Sequence, residues 1–375
     1  MPDLRPASAG PLGDDVRSDC HVAFEPGDDV LKLDVASKVD YLYSDAIESA
    51  LRRVADGLGV TTGRLRVVDR GALEWVLMAR TETCLRSAGA DGPAVLPEAH
   101  PGFDAPAVRD RLRRSRLYLP GNRPKLMLSA GVRNALIALD WGACERMVRV
   151  NQGEAGLEDL RRIAHHNPHV VLLPKVEDPE QVRRAADLAR EIAGERAPFL
   201  MPILESPLGI HRAFEIAAAD QLIVALTLGL EDLSAELGAP RTEDGWESFA
   251  ARQTTVYAAR AAGVQPIASV FSDIADEAAL ARYVQRERGL GFDGVGCIHP
   301  RQIPVVHAGM TPTDVEAERA VRIVQAARDA ERRGLGAVAV GSKMVDPPVV
   351  KQAFRTVDLA VAGGVLDAGW DDEST

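Results

Sequence analysis

Cysteine and aromatic residues are scarce in this sequence, and long apolar runs are missing. The four cysteines (Cys20, Cys84, Cys144 and Cys297) are widely scattered. With no CxxC pair, neither a zinc site nor a dithiol redox centre is expected. Few cysteines beside many acidic residues suit a reducing cytoplasm. No stretch reaches the roughly 20 apolar residues that a membrane span needs. The opening MPDLRPASAG lacks the apolar core of a signal peptide. Basic charge is also in deficit: 44 Lys and Arg against 55 Asp and Glu leave a net charge of −11. That balance argues against a nucleic-acid or anionic-membrane surface. The basic run Arg109 to Arg116 (RDRLRRSR) is the exception. It reads as a solvated helix face leading into a strand.

What is present is an ordinary globular composition, 46% hydrophobic and 26% charged, over 375 residues, enough for two or three domains. Residues 1–15, rich in Pro, Gly, Ala and Asp, are expected to be flexible. A small α+β domain follows over residues 16–87. Its strands are expected at His21–Phe24, Leu31–Val35 and Arg64–Asp69, the first two split by the turn Pro26-Gly27-Asp28-Asp29. Its helices are expected at Ser44–Leu58 and Ala72–Ser87. The first has Ile47, Ala50, Leu51, Val54 and Leu58 on one face, Ser44 as N-cap and Gly59 just past its end. Residues 88–113 form a linker, Gly/Pro/Ala-rich as far as 108.

Over residues 114–335, buried-strand patterns alternate with helical ones, the signature of parallel α/β architecture. Strands are expected at 116–120, 135–140, 147–151, 170–176, 199–205, 222–228, 266–270 and 294–299. Eight strands predict a TIM (β/α)8-type barrel. Its unit between the second and third strands is incomplete, because Asp140 and Arg146 are too close for the dozen or more residues of a parallel crossover. Residues 336–375 form a C-terminal helical segment.

Two stretches organise this barrel, PILESPLGI (202–210) and LGLEDL (228–233). In each, an apolar run ends at a carboxylate, Glu205 or Asp232, as expected where a buried strand opens into a barrel mouth. Two carboxylates from separate strands suit one Mg²⁺. The alternatives are that Glu205 caps a helix and that Asp232 ends a strand.

Residues 9–87 resemble the citrate lyase acyl carrier protein. The likeness rests on Ala9-Gly10, Ser18-Asp19-Cys20, Val68-Asp69-Arg70-Gly71-Ala72-Leu73-Glu74 and Ala79-Arg80. It implies a phosphopantetheine-type group on a serine two residues before the aspartate. Arg17 stands there, so either Ser18 serves by a one-residue slip or the module is unloaded.

Residues 114–354 resemble the HpcH/HpaI aldolase and citrate lyase β-subunit family. The motifs are RSRLYLPGN (114–122), VRVN (148–151), LPKVE (173–177), LESPLG (204–209), GLEDL (229–233), GFDG (291–294), CIHPRQI (297–303) and GSKMVD (341–346). The resemblance implies a lyase or synthase at the carbon–carbon bond beside an acyl thioester of the citryl, malyl or citramalyl type, with CoA or a carrier as thiol. It implies Mg²⁺ on Glu205 and Asp232, Arg149 clamping a substrate carboxylate, and Asp346 transferring a proton in a neighbouring copy. It further implies a homo-oligomer of three or six copies and a citrate lyase α-like transferase partner. His299 falls in the thioester-binding region and Lys175 ends a strand, so both are candidate substrate contacts. His299 reads equally as a buried structural histidine, and Lys175 as an ion-pair partner of Glu177. The family's acidic run after the second strand is reduced to Asp140, and Ala268 stands where the family often has aspartate. A degenerate scaffold and an aldolase acting on free 2-keto acids are therefore the rival readings.

Overall fold

The computed structural model describes residues 4–13, 16, 18–38, 40–117, 127–333, 338–340 and 343–371. Arg17, Tyr118 to Asn122 and Gly341-Ser342 of the motifs above lie outside the described residues. The chain divides into two compact units. The first comprises Met1–Arg109, Pro120–Pro202 and Ala219–Val224, the second Asp110–Leu119, Ile203–Ala218 and Ala225–Thr375.

The first unit begins with a small α+β module: β1 (Ala7–Ala9), β2 (Cys20–Val30), β3 (Lys32–Ser37), α1 (Asp40–Gly57), β4 (Thr62–Asp69) and α2 (Glu74–Ala88). Its four strands lie in the order β1-β2-β4-β3. Phe24, Leu51, Leu65, Met78 and Leu85 fill its core. β1 forms within the segment expected to be flexible and pairs antiparallel with β2. Helix α1 starts four residues before Ser44, so that serine is inside the helix and is not its N-cap. The expected Pro26–Asp29 turn is instead an irregular stretch of β2, where pairing with β4 slips between Glu25 and Val30.

The elements after the linker are β5 (Ser115–Leu117), α3 (Met127–Ala138), β6 (Met147–Arg149), α4 (Gly153–Ile163), β7 (Val170–Leu173), α5 (Pro179–Ala193) and β8 (Phe199–Leu204). Next come α6 (Pro207–His211), α7 (Ala213–Ala217), β9 (Ala225–Leu228), α8 (Leu230–Leu237), α9 (Phe249–Ala262) and β10 (Gln265–Val270). The chain continues through α10 (Glu277–Leu290), β11 (Gly294–Cys297), α11 (Gln302–Met310), α12 (Asp314–Arg332), β12 (Val338–Val340), β13 (Lys343–Val345) and α13 (Pro347–Ala362). Among the described residues, no helix is long and apolar enough to cross a membrane.

β5 to β11 make one sheet, in the order β5-β11-β10-β9-β8-β7-β6, with every pairing parallel. β8 passes from one unit to the other: Phe199 to Pro202 pair with β7, and Ile203 and Leu204 pair with β9. This is an α/β fold of the TIM-barrel type; among the described residues no strand joins β5 to β6.

One expected strand is a helix. Ala135–Asp140 was to be the second barrel strand, but residues 135–138 are the end of α3. A short apolar run reads alike as buried strand or buried helix. The spacing of what is buried decides it: Arg133, Asn134, Leu136 and Ile137 are covered, at helical intervals. α3 packs against α2 of the N-terminal module. Glu82 of α2, 2% exposed, accepts from Arg133 Nη2 at 2.5 Å and from Arg86 Nε at 2.9 Å. Asn134 Nδ2 donates to the Trp75 carbonyl at 3.2 Å. The linker is tied down too, with the His100 N–H donating to the Ile137 carbonyl at 2.8 Å and Asn167 Nδ2 donating to that of Phe103 at 2.5 Å.

Removing one partner of a buried pair strands the other charge, at about 3–5 kcal/mol. Glu82→Ala should therefore lower unfolding free energy by about 3 kcal/mol in a urea titration. Glu82→Leu combined with Arg133→Met should recover most of that loss. Acid stability offers a second check. Burial pulls the pKa of His166 down to about 3, helped by repulsion from His165 and Arg133. The unfolded chain therefore takes up this proton first, so stability is full above about pH 6.5 and falls as pH drops towards 3. His166→Gln should shrink the fall in urea midpoint between about pH 7 and pH 5.

Candidate functional site

Glu205 follows the last residue of β8 and is 6% exposed. It does not cap the next helix. Ser206 does, its Oγ accepting from the Gly209 N–H at 3.1 Å, with Pro207 in the first turn. Asp232 does not end a strand. It is the third residue of α8, which starts two residues after β9. The two strands are neighbours, pairing Ile203 with Thr227 and Leu204 with Leu228, and the Gly229 N–H donates to the Leu204 carbonyl at 2.9 Å. Both carboxylates thus stand at the carboxyl ends of adjacent parallel strands, inside the second unit.

The turn that presents Asp232 leaves no space beside Glu205. A Cβ on Gly229 would lie 2.6 Å from Glu205 Oε2 and 2.7 Å from its Cβ. Only glycine lets the buried carboxylate occupy that position. In α8, Glu231 pairs with Arg241 and Asp232 is exposed at the helix start.

The pairing register shows what shares this face of the sheet. Thr227 pairs with Ile203 on one side and Ile267 on the other, so Glu205, Thr227, Gly229 and Ile267 project the same way, while Ser269 falls where the register slips between Ala268 and Val270. Ala268 projects oppositely, into the core that Val256, Leu280 and Val284 form under α9 and α10. Thr227 Oγ1 is fully buried, with no partner among the described residues. Gly296 pairs with Arg116, which places the buried Arg116 on the Glu205 face as well. Thr227, Ser269 and Arg116 were not expected from the sequence. Their signal is weak: a polar residue inside an apolar strand, as in ALTL and PIASV.

The other expected residues fall as follows. Arg149 is the last residue of β6 and is exposed. Lys175 lies two residues past β7 in left-handed backbone, φ 48°, half-buried. Arg149 ends β6 and Lys175 follows β7, and these two strands pair within the first unit. In the second unit, His299 sits in the turn after β11 and is half-buried. Its Nδ1 accepts from the Arg301 N–H at 3.2 Å. Gln302 holds that turn, its Oε1 accepting from the Ile298 and His299 N–H groups at 2.8 and 3.3 Å. Asp346 precedes α13 as its N-cap, exposed, with no capping bond from its side chain. Ser18 is exposed and left-handed, φ 53°. Its neighbour Asp19 is buried against Arg80, with contacts of 2.9 and 2.5 Å.

The donor set at the β8 and β9 ends is two carboxylates, hard oxygen ligands at a site with further oxygen atoms on the same face. That fits Mg²⁺, which takes few protein ligands and keeps several waters. It does not fit a closed zinc site, and among the described residues no group of three or more His, Cys, Asp or Glu could hold a metal.

Residues 127–300 match the family model described as HpcH/HpaI aldolase/citrate lyase, and residues 5–88 match that of malonate decarboxylase delta subunit (MdcD). Citrate lyase subunit beta of Leuconostoc mesenteroides subsp. cremoris is 31% identical over 69% of this chain and 97% of that protein. The mitochondrial citramalyl-CoA lyase of Homo sapiens is 31% identical over 67% of this chain and 86% of that protein. Among solved structures, CitE from Mycobacterium tuberculosis in complex with magnesium, acetoacetate and coenzyme A is similar. It has 29% identity and a TM-score of 0.52, covering 66% of this chain and 88% of that one. The chain belongs to the HpcH/HpaI aldolase/citrate lyase family, and carries an N-terminal carrier-like module of the MdcD type.

Proposed function

We propose that this chain is a Mg²⁺-dependent carbon–carbon lyase acting on an acyl thioester. The observation that carries the reading is the pair Glu205 and Asp232 at the ends of adjacent strands, with Gly229 kept small beside Glu205. The names of the relatives support it, since one is a citrate lyase β subunit and another a citramalyl-CoA lyase. So does the CitE structure, which holds magnesium, acetoacetate and coenzyme A.

The substrate we infer is a 3-hydroxy-acyl thioester of the citryl, malyl or citramalyl class. Glu205 and Asp232 would hold Mg²⁺, which would supply a Lewis acid for the oxygen where charge develops. Arg149 would grip the substrate carboxylate through its planar fork of donors. In the cleavage direction a base takes the hydroxyl proton and the carbon–carbon bond breaks. The products are a 2-keto acid and a thioester enolate, and the carboxyl of Asp346, contributed by a neighbouring copy, would protonate the enolate carbon. Lys175 and His299 would contact substrate, His299 through Nε2–H, because its Nδ1 already accepts from the backbone.

The module would carry its prosthetic group on Ser18. The serine is exposed and held in a conformation that a non-glycine residue adopts at some cost. A second reading, a scaffold without activity, is favoured by α3, which stands in the place of the second strand and leaves Asp140 exposed after the helix.

The deciding experiment is release of keto acid from citryl-, malyl- and citramalyl-CoA. It should require Mg²⁺ and be lost in Glu205→Ala. Gly229→Ala, which keeps both carboxylates, should lose about as much activity, because the added methyl displaces Glu205. No release from folded protein across the panel would favour the scaffold. Protein purified from its native host should carry an added mass on the peptide containing Ser18, absent in Ser18→Ala. An unmodified peptide there would make the module structural.

A further inference from the structure

We infer that Ser269 is a positioning residue for Asp232, acting as a helix cap supplied from a neighbouring strand. The inference rests on the proposed metal role of Glu205 and Asp232. Helix α8 has glycine at its N-cap and no capping bond from that residue. A serine or aspartate there would ordinarily accept from the first N–H groups. At position 229 no such side chain fits, because even a Cβ would collide with Glu205.

The missing acceptor comes from β10. Ser269 Oγ, 3% exposed, accepts from the Leu230 N–H at 3.3 Å, and Leu230 is the first residue of α8. Asp232 lies two residues further on, in the same turn. Gly229 N–H is fixed as well, by the Leu204 carbonyl next to Glu205. The first turn of α8 is therefore held from both flanking strands, β8 and β10.

Ser269 is itself braced. Its carbonyl accepts from Tyr283 Oη of α10 at 3.0 Å. Two cations lie against the Tyr283 ring, with the Arg252 guanidinium 5.5 Å and that of Arg286 5.3 Å from its centroid. Arg252 in turn forms a buried ion pair with Glu287, and its Nε donates to Ser248 Oγ at 3.1 Å. The network connects a buried charge pair under α9 and α10 to the turn bearing Asp232. Groups that orient a metal ligand typically matter about 10–100-fold in metal affinity.

The test is Mg²⁺ binding by calorimetry on the full chain, with the thermal midpoint of the metal-free protein read alongside. Ser269→Ala should bind Mg²⁺ about 10-fold more weakly. Ser269→Thr, which keeps the oxygen, should bind within a few-fold of the parent. Asp232→Asn should abolish binding. Wild-type affinity in Ser269→Ala, with loss in Asp232→Asn, would overturn the positioning role alone. Wild-type affinity in Asp232→Asn would overturn the metal site on which it rests. If Ser269→Ala fails to fold, Tyr283→Phe decides: weakened Mg²⁺ binding supports the brace and unchanged binding refutes it.

Discussion

The candidate site depends on one steric constraint, the lack of room between Glu205 and residue 229. A carboxylate buried to 6% exposure beside a neighbouring strand end can be accommodated only if that neighbour has no side chain. Glycine at 229 meets this demand, but it also removes the side chain that would cap α8. The helix start then has an orphan N–H, which a buried backbone cannot leave unpaired without cost. Ser269 answers that need from the next strand. Glu205, Gly229 and Ser269 are thus three parts of one solution, drawn from three consecutive strands of the sheet.

A second constraint shapes the first unit. A parallel crossover needs a helix between its strands, and the six residues between Asp140 and Met147 cannot provide one. The chain resolves this by using the apolar run before Asp140 as the helix α3. That helix has two sides to cover. Leu136 and Ile137 are buried, and Arg133 and Asn134 meet α2 of the N-terminal module. The module is therefore more than an appended carrier, since its Glu82 neutralises a buried arginine of the barrel's own segment. A carrier held by a buried ion pair differs physically from one on a free tether, whose reach is set by linker length.

Much of this was legible in the sequence. Apolar runs ending in a carboxylate marked Glu205 and Asp232, and seven of the eight expected barrel strands contain a strand among the described residues. Ala135–Asp140 failed because a run without polar alternation carries no period to separate strand from helix. The cap roles failed for a related reason. Glu205-Ser206-Pro207 offers two acceptors before a proline, and the choice between them rests on Glu205 already being committed to the face it shares with Gly229. Ser44 looked like a cap because it is a good capping residue type just before the apolar face that starts at Ile47, whereas the helix begins four residues earlier, at Asp40.

Ser269 shows the limit most clearly. Within PIASV it is one small polar residue among apolar ones, and nothing local gives it a partner. Its role follows only from the folded strand, where the register slips between Ala268 and Val270 and the Ser269 Oγ reaches the Leu230 N–H at the start of α8, while Ala268 faces the helices. The same register accounts for the tolerance of alanine at 268, where the family often has aspartate. In this chain that side chain lies in an apolar core with Val256, Leu280 and Val284, where an unpaired carboxylate would be costly. Polar capacity on this strand stands one residue later, at Ser269, where it meets the Leu230 N–H.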